Sequence, residues 1–447
     1  MKKLLARTLL LCVFILGTTY VYGQPESKAL LKKFDLGSGK AAKDFVPITP
    51  QNVFSKENGL GIAIEYPVKA VVRSRRDKLT GDFLTSDHPF YFNVVVPEGR
   101  YKITVTLGDP KGISETTVKA ENRRLMLEDI KTKQGEVVTK TFIVDVRTPQ
   151  IGENEKIRLK KRELGYLNWD DKLTLEFGGP KPCVSSLVIE EITGLPVIFL
   201  AGNSTVVDQM YEPWASWGQM FPRFLKPDVV VANYAESGET LKAFRGERRL
   251  KKILSVMKPG DYLFMEFAHN DQKPGSSHVE PFTTYQDELR YFMNETRKKG
   301  GHPVLVTSTN RRVFDDNGKI VNTLEEYPDA MRQLAKEENV PLIDLNAMSK
   351  ELFEALGPEN SKKAFVHYPA HTYPGQDKPL ADNTHFNPYG AYELAKCVVE
   401  SIKENYPELA KYIVDDFKGF DPKHPDPYTN FFWPVSPAIE LVKPDGN

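Results

Sequence analysis

Val197-Ile198-Phe199-Leu200-Ala201-Gly202-Asn203-Ser204-Thr205 is an uncharged apolar run that ends abruptly in Gly-Asn-Ser. Such a run reads as a strand buried on both faces, as parallel sheets require, with a tip that delivers a hydroxyl into a loop. In open α/β sheets ligands sit in the crevice outside the carboxyl ends of the strands, so Ser204 stands where chemistry is usually done. The alternative is that Asn203-Ser204-Thr205 only turns the chain and caps a following helix. The rest of the chain has to decide between the two.

Beyond this stretch the sequence alternates strand and helix. Apolar runs predict further strands over 229–233, 262–267, 304–308 and 341–345, with helical stretches over 214–225, 241–257, 282–299 and 323–339 between them. A last helix is predicted over 389–406, opened by Pro388, a favoured first-turn residue. This order argues for a parallel sheet covered on both faces, and right-handed crossovers then bring every strand tip to one edge.

Before the linker Thr193-Gly194-Leu195-Pro196 the rhythm is different. From 24 to 192 short runs recur between turn signals, which predicts an all-β sandwich or jelly roll. Phe90 to Val96, then Pro97-Glu98-Gly99-Arg100, then the alternating run Tyr101 to Leu107 predict a hairpin. Other strands are expected over 115–120, 138–146, 156–160, 172–177 and 184–189, with no helical periodicity among them. The pieces Phe34 to Gly39, Phe92 to Leu107 and Leu187 to Glu190 resemble the galactose-binding-like jelly rolls attached to carbohydrate-active enzymes. Tyr166, Trp169 and Asp170 suit a pyranose, with packing inside the sandwich or against the other domain as the alternative.

At 447 residues, two domains are the default expectation. The expected layout is a signal peptide over 1–23, the sandwich over 24–192, the α/β domain over 196–416 and an aromatic, Pro-rich strap over 417–447. Three positive charges in Met1 to Arg7 precede an apolar or small stretch from Thr8 to Tyr22, the pattern of a cleaved secretory signal with a periplasmic or extracellular destination. Sixty basic residues balance sixty acidic ones, which gives no electrostatic case for nucleic acid or a membrane surface. Cys183 and Cys397 fall in different expected domains and read as two buried free thiols, with one bridge between them as the alternative.

Four polar blocks fall at predicted strand tips or before the last helix. They are Gly202-Asn203-Ser204, Asn233 to Gly238, Ala268-His269-Asn270-Asp271, and Asp382 to Pro388. A serine hydroxyl needs an imidazole to take its proton, and a carboxylate to hold that imidazole in the right tautomer. Asp382 and His385, three apart in one expected loop, suit that pair, with Ser204 as nucleophile. The oxyanion needs preorganised donors. Ser204 N–H, Gly238 N–H and the Asn270 amide supply three. Taken singly, each has a plainer reading: Gly238 as a turn, Asn270-Asp271 as a helix cap, Asp382 as an Asx turn, His385 as a surface histidine.

Together the blocks resemble the SGNH or GDSL hydrolase superfamily, and within it the rhamnogalacturonan acetylesterases. Gly202-Asn203-Ser204-Thr205 is similar to the family's nucleophile block, Gly238 and Asn270 to its oxyanion glycine and asparagine, and Asp382 with His385 to its Asp-x-x-His pair. Trp217-Gly218-Gln219 also resembles this subgroup, whereas Asn203 and Ala268 depart from residues common in the superfamily. The resemblance spans roughly 196–412. It implies a flavodoxin-like three-layer α/β fold and deacetylation of an acetylated polysaccharide or oligosaccharide, with no metal and no cofactor.

Lys273, Arg311 and Arg312 are candidates for uronate carboxylates, and His278 for a place on the site's rim. His367 and His371 have a metal-ligand spacing only if helical, which Pro369 and Pro374 oppose. The expected function is removal of O-acetyl groups from rhamnogalacturonan. The rivals are an esterase for other glycans such as xylan and a non-catalytic carbohydrate-binding protein.

Overall fold

The five apolar runs of the C-terminal half sort their side chains alternately onto two faces, and that alternation builds the layers around the site. In the computed structural model, which describes residues 30–445 apart from Gly39, Ile64 and Arg75, they form one all-parallel sheet. Its strands are Val197–Gly202, Val230–Asn233, Tyr262–Glu266, His302–Val306 and Leu342–Ile343. Ile198, Leu200, Val231, Phe264, Val304 and Val306 point into one core, with Trp217, Leu394, Val398 and Ile402 of the covering helices. Val197, Phe199, Val230, Leu263, Met265 and Leu305 point into the other, under Phe244, Leu289, Phe292, Met331 and Leu334. Period-two burial on both faces gives three layers.

The sheet runs second, first, third, fourth, fifth in chain order. The order reverses beside Val197–Gly202, so a crevice opens between its tip and that of Tyr262–Glu266. Ser204 and Asn270 follow these two strands.

The helices depart from expectation in three places. The stretch 241–257 is two helices, Leu241–Gly246 and Arg249–Val256, because Arg248 between them sits in the left-handed region at φ 70°. The stretch 214–225 is only a short helix, Trp217–Met220, capped by Ser216 and continued as a 3-10 turn over Phe221–Phe224. Leu345–Asn360, a helix the periodicity does not announce, opens on an Asp344 cap and bends at Gly357.

The N-terminal half is all-β. Among the described residues one sheet has seven strands and the other five, facing across a core of Phe34, Phe92, Val94, Ile103, Val105, Leu175 and Leu187. The strand Gly99–Gly108 shows why: Tyr101, Ile103, Val105 and Leu107 are fully buried, while the residues between them are half-buried.

The expected hairpin is not one. Phe90–Val95 pairs with Leu60–Ala63 and Lys172–Lys181, whereas Gly99–Gly108 pairs with Val137–Val146 and Val184–Glu191 in the opposite sheet. Both strands carry apolar residues that reach one interior from opposite sides, so the connection crosses between sheets. Pro97, without an N–H, suits an unpaired corner, and its carbonyl accepts from the Tyr101 hydroxyl at 2.8 Å.

The strand expected over 156–160 is also absent beyond the two-residue pair Gln150–Ile151 with Glu155–Lys156. The chain leaves the sandwich there and turns through 3-10 helices at Lys161–Gly165 and Leu167–Trp169, laying its basic residues on the α/β half. Trp169 meets Tyr234 edge-on, and Tyr166 meets Tyr211. These aromatics face the neighbouring domain.

Residues 417–431 pack on the α/β half, and 433–445 lie across the seam between the halves. Lys119 of the sandwich donates to the Pro434 carbonyl at 2.6 Å, and Trp433 Nε1 donates to Glu212 of the α/β half at 2.8 Å. Cys183 and Cys397 are buried free thiols, which burial pushes up to about 11 in Cys183 and upward in Cys397. Among the described residues no helix is long and apolar enough to cross a membrane. The segment 1–23 lies outside the described residues.

Candidate active site

At the tip of Val197–Gly202 the chain turns sharply. Asn203 Oδ1 accepts the N–H of Thr205 at 3.1 Å, and the Asn203 carbonyl accepts those of Val206 and Val207 at 3.0 Å each. Asn203 therefore does shape a turn, but no helix follows directly, and the turn presents Ser204. Gly202 and Gly218 let it close: a Cβ on Gly202 would meet Val206 at 2.6 Å, and one on Gly218 would meet the Val206 carbonyl at 2.2 Å. Gln219 donates to the Gln209 carbonyl at 3.0 Å, and Gln209 donates to the Ser204 carbonyl at 3.0 Å. The Trp217-Gly218-Gln219 block thus braces the serine from behind.

Asp382 and His385 come from an element read as a loop and found as a strand, Leu380–Phe386, antiparallel to Phe365–Tyr368. The register shifts between Phe365 and His367, and the irregularity is an Asx turn. Asp382 Oδ1 accepts the N–H groups of Thr384 and His385 at 2.7 and 3.0 Å. Its other oxygen faces His385 Nδ1 at 2.8 Å. His385 Nε2 lies 3.0 Å from Ser204 Oγ, across 181 residues of sequence. Trp214 packs edge-on against the imidazole, ring centroids 5.7 Å apart. All three polar side chains are buried. Burial opposes the Asp382 charge, but the His385 bonds and the two backbone N–H groups outweigh it and hold the carboxyl at about 2. A carboxylate on Nδ1–H leaves Nε2 as the acceptor for the serine proton.

The remaining blocks flank the serine. Gly238 sits at φ 79°, a left-handed conformation that favours glycine, and a Cβ there would meet Asp445 at 3.2 Å. Asn270 donates one amide hydrogen to the Glu239 carbonyl at 3.1 Å, and its oxygen accepts from Lys273 at 3.0 Å. The amide has a second hydrogen for an oxyanion. Asp271 of this block accepts the N–H of Leu241 at 2.8 Å, at the start of the helix that Thr240 caps. His269 is buried and held well below the usual imidazole range by burial and the Arg311 charge, so it is neutral; its Nε2 lies 3.0 Å from the Thr309 carbonyl.

Several contributors were not legible in the sequence. Arg162 of the sandwich half donates to Glu236 at 2.8 and 3.1 Å and to the Ser237 carbonyl at 2.6 Å. Lys160 donates to the same carbonyl at 2.8 Å and pairs with Glu239. The loop that carries Gly238 is therefore pinned by the other domain. Burial raises Glu236 to about 7 and Glu239 to about 8. From the strap, Lys443 Nζ reaches within 3.6 Å of Asp382. Glu266 sits under the turn, bonded to the Thr205 hydroxyl at 2.8 Å and to Trp217 Nε1 at 2.5 Å, and burial pushes it up to about 7. A lone carboxyl in the apolar run Tyr262 to Phe267 was the available signal.

The substrate-binding candidates fare differently. Arg311 donates to the Thr323 carbonyl and hydroxyl at 3.2 and 3.1 Å and to the His269 carbonyl at 3.3 Å. Arg312 is bonded to Ser361 and Asn383, and to the Pro358 carbonyl. Both guanidinium groups brace loops. His278 is engaged with Glu280 at 3.1 Å, while His367 lies on a strand and is bonded to Asn383 at 2.8 Å.

The GDSL-like lipase/acylhydrolase family profile matches residues 200–391, which contain all of the serine, glycine, asparagine and Asp-x-x-His blocks. Rhamnogalacturonan acetylesterase RhgT of Bacillus subtilis (strain 168) is 48% identical over 209 residues, 46% of this chain and 89% of that protein. The chain belongs to the GDSL-like lipase/acylhydrolase family. This GDSL protein is a carboxylic ester hydrolase. Its residues 32–152 match a second profile, the galactose-binding-like domain of β-agarase/YXIM-type esterases. The uncharacterized esterase YxiM of B. subtilis (strain 168) is 27% identical over 422 residues, 90% of this chain and 98% of that one. The crystal structure of YxiM from B. subtilis aligns over 85% of this chain and 100% of that chain, with a TM-score of 0.45 at 24% identity.

Proposed function

We propose that the protein is an exported serine esterase that removes O-acetyl groups from rhamnogalacturonan through an acetyl-enzyme. The observation that carries this reading is the relay of Ser204 Oγ, His385 and Asp382, at 3.0 and 2.8 Å. Ser204 Oγ attacks the acetyl carbonyl carbon while its proton passes to His385 Nε2, and Asp382 stabilises the imidazolium. The Ser204 and Gly238 N–H groups and the Asn270 amide receive the oxyanion, each donor worth about 10²–10³ in turnover. Collapse breaks the bond to the sugar oxygen, which takes the proton from His385. Water then attacks acetyl-Ser204 with His385 again as base, and acetate leaves with Ser204 restored. The pectic substrate is supported by the 48%-identical relative RhgT, a rhamnogalacturonan acetylesterase.

The test is acetate release from acetylated rhamnogalacturonan, homogalacturonan and xylan, alongside labelling by a serine-directed phosphonate. Ser204→Ala should lose both label and turnover. Near-wild-type acetate release by that variant would refute the mechanism, and faster release from xylan would refute the pectic assignment. Export is tested by sequencing the mature N-terminus, expected at Gln24.

A further inference from the structure

Beside the serine site lies a cavity of about 240 Å³ that the mechanism does not use, walled by Tyr368, Tyr373, Tyr428, Phe432 and Trp433. We infer that it is a subsite for a pyranose unit of the same glycan chain that presents its acetyl group to Ser204, an inference that rests on the polysaccharide reading above.

The cavity's chemistry fits a sugar ring. A pyranose has apolar C–H faces and a hydroxyl edge, so it needs rigid aromatic planes with polar groups at their rim. Trp433 is such a plane, held in place: Glu212 accepts from its Nε1 at 2.8 Å, and the Lys119 Nζ and Arg123 Cζ atoms sit 3.9 and 5.7 Å from its ring centre. Glu212 is itself paired with Arg123 at 2.7 Å, and both side chains are buried, so the anchor is fixed. Tyr368 and Tyr373 meet edge to face at 5.2 Å. Tyr428 and Phe432 are 44% and 39% exposed. Clustered aromatics left in solvent around a cavity mark an interaction site. At this size the cavity is smaller than the roughly 300–1,000 Å³ of sites for drug-sized ligands, which suits a single ring.

Its position fits as well. Asn387 and Pro388 line the cavity two and three residues after His385. Glu212, on another wall, is two residues before Trp214, which packs on the His385 ring. Two extended residues span at most about 7 Å, so the backbone at Asn387 and Glu212 lies within that reach of His385 and Trp214. Most of that aromatic wall comes from the strap, which gives the strap a role in holding substrate.

The experiment compares wild type with Tyr428→Ala, Phe432→Ala and the double variant on acetylated rhamnogalacturonan oligosaccharides and on 4-nitrophenyl acetate. Both side chains are exposed enough for truncation to spare the fold. The expected result is a rise in oligosaccharide KM of about tenfold in the double variant, with oligosaccharide kcat and the 4-nitrophenyl acetate kinetics unchanged. An unchanged oligosaccharide KM overturns the subsite and leaves the esterase reading standing. Equal losses on both esters also overturn it, because a merely structural role would produce them. If the wild type turns over 4-nitrophenyl acetate but releases acetate from no glycan, the polysaccharide reading falls and the subsite with it.

Discussion

Asp382→Asn tests the relay without dismantling it. Asp382 Oδ1 holds the N–H groups of Thr384 and His385 at 2.7 and 3.0 Å, and only an oxygen satisfies two backbone donors. The new amide therefore keeps its oxygen there and turns its NH₂ toward His385 Nδ1, 2.8 Å away. Nδ1 must then accept, so the ring proton moves to Nε2 and points at Ser204 Oγ, 3.0 Å away. The serine loses its base while the geometry persists. The corresponding change in a Ser-His-Asp triad costs about 10⁴ in kcat, or about 5 kcal/mol of transition-state stabilisation. Turnover of 4-nitrophenyl acetate, measured beside thermal unfolding, reads this directly. A folded variant that retains turnover within about tenfold of wild type would refute the tautomer argument. The acid limb of stability should change too. Because the native carboxyl is held at about 2, below its ordinary 3.8, its contribution of about 2 kcal/mol is fully present above pH 3.8. That contribution is lost as the pH falls through 2, and the Asn variant should lack this loss.

Two further changes probe the support around the serine. Above pH 7, where Glu236 is ionised, Arg162→Met removes the cross-domain bonds to Glu236 and Ser237 and strands a carboxylate that is 2% exposed. Stability should fall by about 3 kcal/mol, the low end for a broken buried pair because Arg162 is 29% exposed, and kcat should fall as the Gly238 loop loosens. Wild-type values for both in urea titrations and steady-state assays would show that the clamp is idle. Glu266, raised to about 7 from 4.5, favours its protonated form in the fold, so it costs stability progressively as the pH rises from 4.5 through 7. Glu266→Gln has no such titration, so its unfolding free energy should gain on the wild type by about 3 kcal/mol across that window. Parallel stability curves for the two proteins would contradict the burial argument.

The contrast between the two halves shows what is readable along a chain. In the α/β half, strands buried on both faces are continuous apolar runs, so the polar residue after each one stands out at a strand tip; Ser204, Gly238 and Asn270 stand in the blocks that follow such tips. Asp382 and His385 were visible as a spaced pair, but their strand was not, because its run Leu-Ala-Asp-Asn-Thr-His-Phe is mostly polar. In the sandwich, individual strands could be read from alternation. Pairing could not, since a period of two says which side chains face the core and nothing about which sheet a strand joins. The lost hairpin at Pro97 is that gap, while over 156–160 the chain leaves the sandwich and the run builds no strand beyond Glu155–Lys156.

By itself the sequence determined what short-range physics dictates: which runs are buried, where they stop, and which reactive groups follow their tips. The tertiary structure alone decided how Ser204 meets a histidine 181 residues away, how Arg162 and Lys160 cross from the sandwich to pin the Gly238 loop, and how the strap brings Lys443 to Asp382. These contacts join charged or polar residues that look solvated in isolation. Their partners are set by how whole layers pack, and no local pattern of hydrophobicity records it.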